Sequence, residues 1–182
     1  MPKTIGLIVG SLRADSINRK LAVALTKLAG ERLIIQDIAI GDLPLYNQDH
    51  EANPPAAVTR LKRAIEAVDG LLFVTPEYNR SMPGVLKNAL DSASRPYGQN
   101  SFAGKPCAVC GTSPGGPSTA MAQQHLRNVL TYLDAPTLQQ PEVFVQFSKG
   151  LIDDDGAIAK EDTQKFLAGF IDRYVAWIEK LA

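Results

Sequence analysis

Five short apolar runs alternate with five amphipathic stretches along this chain, and that alternation is compatible with few folds. The runs fall near 4–9, 32–38, 70–75, 106–112 and 142–147, and the helical patterns near 17–29, 55–68, 84–94, 118–134 and 162–181. Strand followed by helix, repeated without interruption, predicts an α/β fold: a parallel sheet with helices on both faces and strand order 2-1-3-4-5. Leu71-Leu-Phe-Val74 is apolar at consecutive positions, as a parallel strand covered on both faces must be. In the last helix Phe166, Phe170, Tyr174, Ile178 and Leu181 recur at spacings of three and four, with Leu167 and Ile171 beside them, which predicts a core-facing stripe. With 182 residues and no repeat, low-complexity tract or linker, the chain reads as one domain over 1–182.

The first strand stops at Gly10 and gives way to a loop of hydroxyls, one arginine and one amide before the helical pattern begins at Ile17. Unpaired backbone N–H groups and the positive end of a helix dipole converge at such a junction, which suits an anion. Ser11, Ser16 and Asn18 add candidate side-chain donors, and Arg13 a fixed charge. No Lys follows Gly10 where a nucleotide-triphosphate loop needs one, and the three close glycines of a dinucleotide fingerprint are missing. A hydroxyl-rich loop suits a terminal phosphomonoester, with its three exposed oxygens. The plainer alternative is a serine-capped helix after a strand, with Arg13 solvated.

Two more loops fall on the same edge of the sheet. The third apolar run breaks at Pro76 into Glu77-Tyr78-Asn79-Arg80-Ser81-Met82, and Pro83 opens the next helix, over 84–94. The fourth ends in Ser113-Pro-Gly-Gly-Pro117. An anion-binding loop, a loop bearing a Tyr and a glycine-rich loop form a crevice for a flat ligand with a phosphate tail. Open α/β sheets bind ligands at that edge, where the strand order reverses.

Gly10-Ser-Leu-Arg-Ala-Asp-Ser-Ile-Asn18, Thr75-Pro-Glu-Tyr-Asn79 and Pro83-Gly-Val-Leu-Lys-Asn-Ala-Leu-Asp91 together resemble the NADPH-dependent FMN reductase family, on its bacterial quinone and chromate reductase branch. The resemblance runs from Ile5 to about Phe147. It implies a flavodoxin-like three-layer sandwich, FMN as cofactor and NADPH or NADH as co-substrate. It also implies a phosphate site at Ser11, Arg13, Ser16, Ile17 and Asn18, and a ring site at Pro76, Glu77, Tyr78, Asn79 and Ser113. Many relatives carry an aromatic residue where this chain has Ser92, which points to a looser wall near the ring or at a subunit contact.

FMN accepts a hydride and passes on two electrons, so such a site needs no nucleophile or paired acid and base. The expected activity is electron transfer from a nicotinamide to quinones, flavins or soluble acceptors such as chromate and azo dyes. Arg95, with Arg80, is the candidate for positioning the acceptor; Arg95 leaves the third helix at the opposite edge and would act in a neighbouring copy's site. Leu43, Leu45 and Tyr46, apolar within the long irregular stretch 39–55, and the family resemblance point to a homodimer or homotetramer. Two rivals remain. A flavodoxin-like electron carrier would be strongly acidic, whereas the net charge here is zero with Arg13 and Arg19 near the first loop. A phosphosugar- or nucleotide-binding regulator would leave the Tyr loop unexplained.

Other signals are weaker. Cys107 and Cys110 have redox spacing but lie in a predicted strand, where residues three apart face opposite sides, so a structural role is expected. Asp153-Asp-Asp155-Gly156 has the look of a calcium loop, but its first ligand position would be Leu151 and no helix precedes it. His50 and His125 have no spaced partner, so no metal is expected. Zero net charge gives no reason to expect nucleic acid or an anionic membrane as partner. No apolar run approaches the ~18 residues of a membrane span, and the first residues lack a secretory core, so a cytoplasmic location is expected.

Overall fold

A computed structural model describes residues 1–181. Its strands are β1 (Lys3–Val9), β2 (Leu33–Asp37), β3 (Gly70–Val74), β4 (Cys107–Ser113) and β5 (Val143–Gln146). The helices between and after them are α1 (Ile17–Ala29), α2 (Ala56–Glu66), α3 (Gly84–Ala93), α4 (Ala120–Tyr132) and α5 (Glu161–Leu181). All strand pairs are parallel and the order is β2-β1-β3-β4-β5, the flavodoxin-like arrangement expected from the sequence.

Side chains alternate across the sheet and divide the core in two. Ile5, Leu7, Val9, Leu72, Val74, Ala108 and Cys110 meet Leu21 and Leu25 of α1 and Phe170 and Tyr174 of α5. Ile8, Leu71, Phe73, Cys107 and Val109 meet Leu61 of α2, Leu86 of α3 and Leu126 of α4. Cys107 and Cys110 thus sit on opposite faces, both free and fully buried, and burial pushes both thiols far above their ordinary range. Every residue of β3 is buried, which accounts for its unbroken apolar run. The edge strand β2 is half open to solvent, with Ile34 52% exposed.

Three expectations need correction. The buried face of α5 is Leu167, Phe170, Ile171, Tyr174 and Ile178, while Phe166 and Leu181 lie at its margin, each 42% exposed. A spacing of four repeated from 170, 174 and 178 back to 166 drifts around a 3.6-residue helix, so Phe166 at its N-terminal end leaves the contact face while Ile178 stays buried. Helix α4 starts two residues later than expected because Ser118 and Thr119 take positive φ values of 47° and 77°. Pro83 occupies the N-cap of α3, with extended backbone, rather than its first turn.

The irregular stretch after β2 is fastened to its own chain. Asn88 of α3 donates from Nδ2 to the Pro44 carbonyl at 2.9 Å and accepts from the Tyr46 amide at 2.8 Å. That pairing leaves Leu45 82% exposed.

Candidate functional site

The strand order reverses between β1 and β3, so the loops leaving their C-terminal ends diverge around a crevice. They are pressed together at its base. The Gly10 amide donates to the Val74 carbonyl at 2.9 Å. A Cβ at Gly10 would meet Thr75 Oγ1 at 3.2 Å, Leu86 Cδ2 at 3.3 Å and Pro76 Cδ at 3.4 Å, so a side chain there would require these neighbours to give by a few tenths of an ångström.

Beyond Gly10 the backbone amides of Ser11, Leu12, Arg13, Ile17 and Asn18 make no hydrogen bond to another described residue. Ser16 caps α1, its Oγ accepting from the Arg19 amide at 3.2 Å while its hydroxyl proton stays available. The Arg13 side chain is 71% exposed and its nearest carboxylate, Asp15, is 3.8 Å away, too far for a hydrogen bond. Asp15 is engaged instead by Lys20 at 3.0 Å, and Lys20 also holds Asp154 at 2.9 Å. The Lys20 hydrogen bond holds the Asp15 carboxyl below its ordinary range, and the bonds to Asp154 and Asp15 hold the Lys20 ammonium above its own. Arg19 turns away to Asp37 of β2 at 2.7 Å and leaves Arg13 as the exposed cation of the loop with no carboxylate at hydrogen-bonding distance.

Asn18 is the main departure from the sequence reading of this loop. Its side chain is 2% exposed and turns inward, donating from Nδ2 to the Thr112 carbonyl and accepting the Thr112 amide on Oδ1, both at 3.0 Å. It occupies the hydrogen-bonding edge of β4 just beyond the point where β3 turns away at Thr75. The side chain is therefore the floor of the crevice, and what Asn18 offers an anion is its backbone amide in the first turn of α1.

The loop after β3 is a rigid two-residue hairpin. Tyr78 and Ser81 exchange both backbone hydrogen bonds, at 2.9 and 3.0 Å, and Asn79 and Arg80 between them have φ of 51° and 66°. Two successive left-handed residues are the mark of a type I′ turn, which Asn favours and Arg occupies at some strain. The turn holds Tyr78 out at 51% exposure, while Pro76 is buried behind it. Arg80 is exposed and has no ion-pair partner among the described residues.

Glu77 does not face solvent as a free acid. Its Oε2 accepts the amides of Met121 and Ala122 at 3.0 and 3.1 Å, at the start of α4. The third loop is tied in as well. Ser113 Oγ accepts from the Gly115 amide at 3.2 Å, and Ser118 donates to the Gly115 carbonyl at 3.1 Å. Gly111 is obligatory, since a Cβ there would lie 2.1 Å from the Thr75 carbonyl oxygen and 2.7 Å from Thr119 Oγ1. Sequence reasoning missed the roles of Glu77, Ser118 and Thr119. The Asn-Arg pair after Tyr78 was a usable signal for the hairpin, but the partner of Glu77 lies 44 residues on and leaves no local trace.

Arg95 lies apart from these loops, past the C-terminal end of α3. Its Nε donates to Glu51 Oε1 at 2.7 Å, and the Tyr46 hydroxyl donates to the same oxygen at 2.7 Å. Hydrogen bonds from Arg95 and then Tyr46 hold the Glu51 carboxyl below its ordinary range, while the bond to Glu51 raises the Tyr46 hydroxyl. These groups line a cavity of about 440 Å³ between the stretch after β2, α2 and the end of α3. Ser92 also lines it, with a buried Oγ that has no partner among the described residues.

The metal-like signals resolve into structure. Asp153 Oδ1 accepts the Ala157 amide at 2.8 Å to close a turn, and Gly156, with φ of 79°, lies where a Cβ would meet the Ala24 amide nitrogen of α1 at 2.7 Å. His125 on α4 is exposed, with Nδ1 2.9 Å from Ser81 Oγ.

A model of the NADPH-dependent FMN reductase family matches residues 3–150. A 2-hydroxy-1,4-benzoquinone reductase from a Burkholderia species is 51% identical over 178 residues, which cover 98% of this chain and 97% of that protein. A quinone reductase from Pseudomonas putida is 46% identical over 177 residues, covering 97% of this chain and 95% of that protein. Among solved structures, the flavoenzyme NAD(P)H:(acceptor) oxidoreductase FerB from Paracoccus denitrificans superposes with a TM-score of 0.95 at 51% identity, covering 98% of each chain.

Proposed function

The chain belongs to the NADPH-dependent FMN reductase family and is an oxidoreductase that works with FMN and a reduced nicotinamide; from that premise we propose that it passes electrons to quinones, free flavins and soluble metal or azo acceptors such as chromate. Quinones head that series because two of the relatives above are named for quinone reduction. The observation that carries the reading is a pairing at the switch of the sheet. A loop with unpaired amides and an exposed Arg13 stands beside a half-exposed Tyr78 on a hydrogen-bonded turn.

The residues present fit FMN. Ser11, Arg13, the Ser16 hydroxyl and the amides of Ile17 and Asn18 would hold the phosphate, a set of donors with no acid at hydrogen-bonding distance from Arg13. Pro76, the backbone of Glu77, Tyr78, Asn79 and Ser113 would hold the ring, with Tyr78 supplying an amphipathic surface. Bound FMN supplies the two-electron chemistry and the protein binds, orients and polarises. Unpaired amides of the loops after β3 and β4 would be the donors available to the ring's carbonyl oxygens. Arg95 and Arg80 position the acceptor, Arg95 from a neighbouring copy of a homodimer or homotetramer, where Leu45 and Tyr46 meet the partner. Light scattering at micromolar concentration reads that assembly directly. The same reading makes residues 1–182 one FMN-binding domain and places the enzyme in the cytoplasm; among the described residues no helix is long and apolar enough to cross a membrane.

Steady oxidation of NADPH by a benzoquinone, with no other protein present, tests the proposal. Turnover that persists over many equivalents supports it. A flavin-loaded protein that exchanges electrons only with a protein partner is a carrier, and the proposal fails.

A further inference from the structure

Helix α4 lacks an N-terminal cap of its own. Thr119 stands at its N-cap with φ of 77° and no side-chain bond to the first turn, its hydroxyl instead accepting from Gln123 Nε2 at 2.9 Å. No acidic residue lies in the first turn. The missing cap comes from Glu77, whose carboxylate takes the amides of Met121 and Ala122. One turn further along α4, His125 Nδ1 pairs with Ser81 Oγ at 2.9 Å. Glu77 and Ser81 flank the hairpin that carries Tyr78, so the hairpin is docked on α4 at both ends. The segment just before α4, Ser113 to Thr119, is the other loop of the crevice.

We infer that Glu77 is a positioning residue that sets the Tyr78 hairpin and the Ser113 loop at a fixed separation by capping α4 from outside the helix. This rests on the proposed FMN site, because that separation is what the flavin ring would fill. A carboxylate suits this role, since one oxygen accepts two amides at the positive end of the helix, and a charged acceptor makes shorter and stronger bonds than a neutral one. Without it, two first-turn amides turn to water and, of its side-chain hydrogen bonds to α4, the hairpin keeps the Ser81–His125 pair. The consequence falls on the ring and not on the phosphate, whose donors belong to the loop after β1.

The test uses Glu77→Ala and Glu77→Gln in the full chain. Amide hydrogen exchange of the apoprotein reads the coupling without any flavin. Glu77→Ala is expected to speed exchange about tenfold at both Tyr78 and Ser81 of the hairpin and in the first turn of α4, with β1 and β3 unchanged. Flavin titrations read the consequence. On the scale of a lost helix cap, Glu77→Ala is expected to weaken riboflavin and FMN by the same factor, about three- to thirtyfold. Glu77→Gln, whose amide oxygen can still accept both bonds, restores most of both readouts. Faster exchange confined to α4, or a variant with a lowered melting temperature that binds riboflavin as the wild type does, makes Glu77 an ordinary helix cap and overturns the inference. A wild-type chain that takes up no FMN contradicts the cofactor site itself, and the exchange data then still decide the coupling.

Discussion

Replacing Asn18 with Ala tests the floor of the crevice. Both ends of its amide bond the Thr112 backbone at 3.0 Å, with Asn18 2% and Thr112 0% exposed. Alanine leaves a buried N–H and a buried C=O without partners. Each such orphan costs about 1–3 kcal/mol. Water entering the vacated volume recovers part of that, which gives a net loss of about 2–4 kcal/mol. For a chain of this size each kcal/mol corresponds to roughly 2–4 °C in melting temperature, so a fall of about 5–15 °C is expected. Urea unfolding of the apoprotein followed by far-UV circular dichroism is the assay, with the midpoint lowered and the slope unchanged. Asn18→Asp sharpens the result. A carboxylate can accept the Thr112 amide but sets an acceptor against its carbonyl, so Asp must rescue little. A loss below about 1 kcal/mol for Ala, or full stability in Asp, would refute the reasoning, because the two bonds would then carry no weight at the floor.

The phosphate loop gives a second expectation: a charged hydrogen bond contributes about 1.5–3 kcal/mol, but the 71% exposure of Arg13 and the Asp15 carboxylate 3.8 Å away put it at the low end. Arg13→Ala should therefore weaken FMN about five- to thirtyfold while leaving riboflavin unchanged, as read by flavin fluorescence. Arg95→Ala should raise KM for chromate more than for a neutral quinone in steady-state assays with FMN content unchanged; equal effects would leave Arg95 a partner of Glu51 alone. Glu51 supplies a pH signature, because Arg95 holds its folded-state value below the unfolded one. Its contribution is thus complete above about pH 4.3 and disappears as pH falls through the lower folded value. The melting-temperature gap between wild type and Glu51→Gln should hold from neutral pH down to about 4.3 and close below it.

The sheet was legible because burial leaves a local record. Leu71 to Val74 are apolar in succession because both faces of β3 are covered, and Cys107 and Cys110 separate because a strand alternates. The same record placed three loops on one edge of the sheet. What local pattern does not carry is the identity of a distant partner. The loop singles out Asn18 as a donor, but its side chain answers to Thr112, 94 positions away. The Glu77 side chain answers to the first turn of α4, 44 positions away, and Thr119 takes a left-handed conformation in a segment that Gly111 allows to approach β3. Phe166 fits a spacing of four and still misses the core, because the helix that presents it turns every 3.6 residues.

Equilibrium titration of the purified chain with FMN and with riboflavin tests the central claim most directly. Quenching of flavin fluorescence should saturate at one FMN per chain, and riboflavin, which offers the loop after β1 no phosphate, should bind at least about tenfold more weakly, on the scale of one charged hydrogen bond. Equal affinity for the two flavins, or no saturable uptake of FMN, would contradict it.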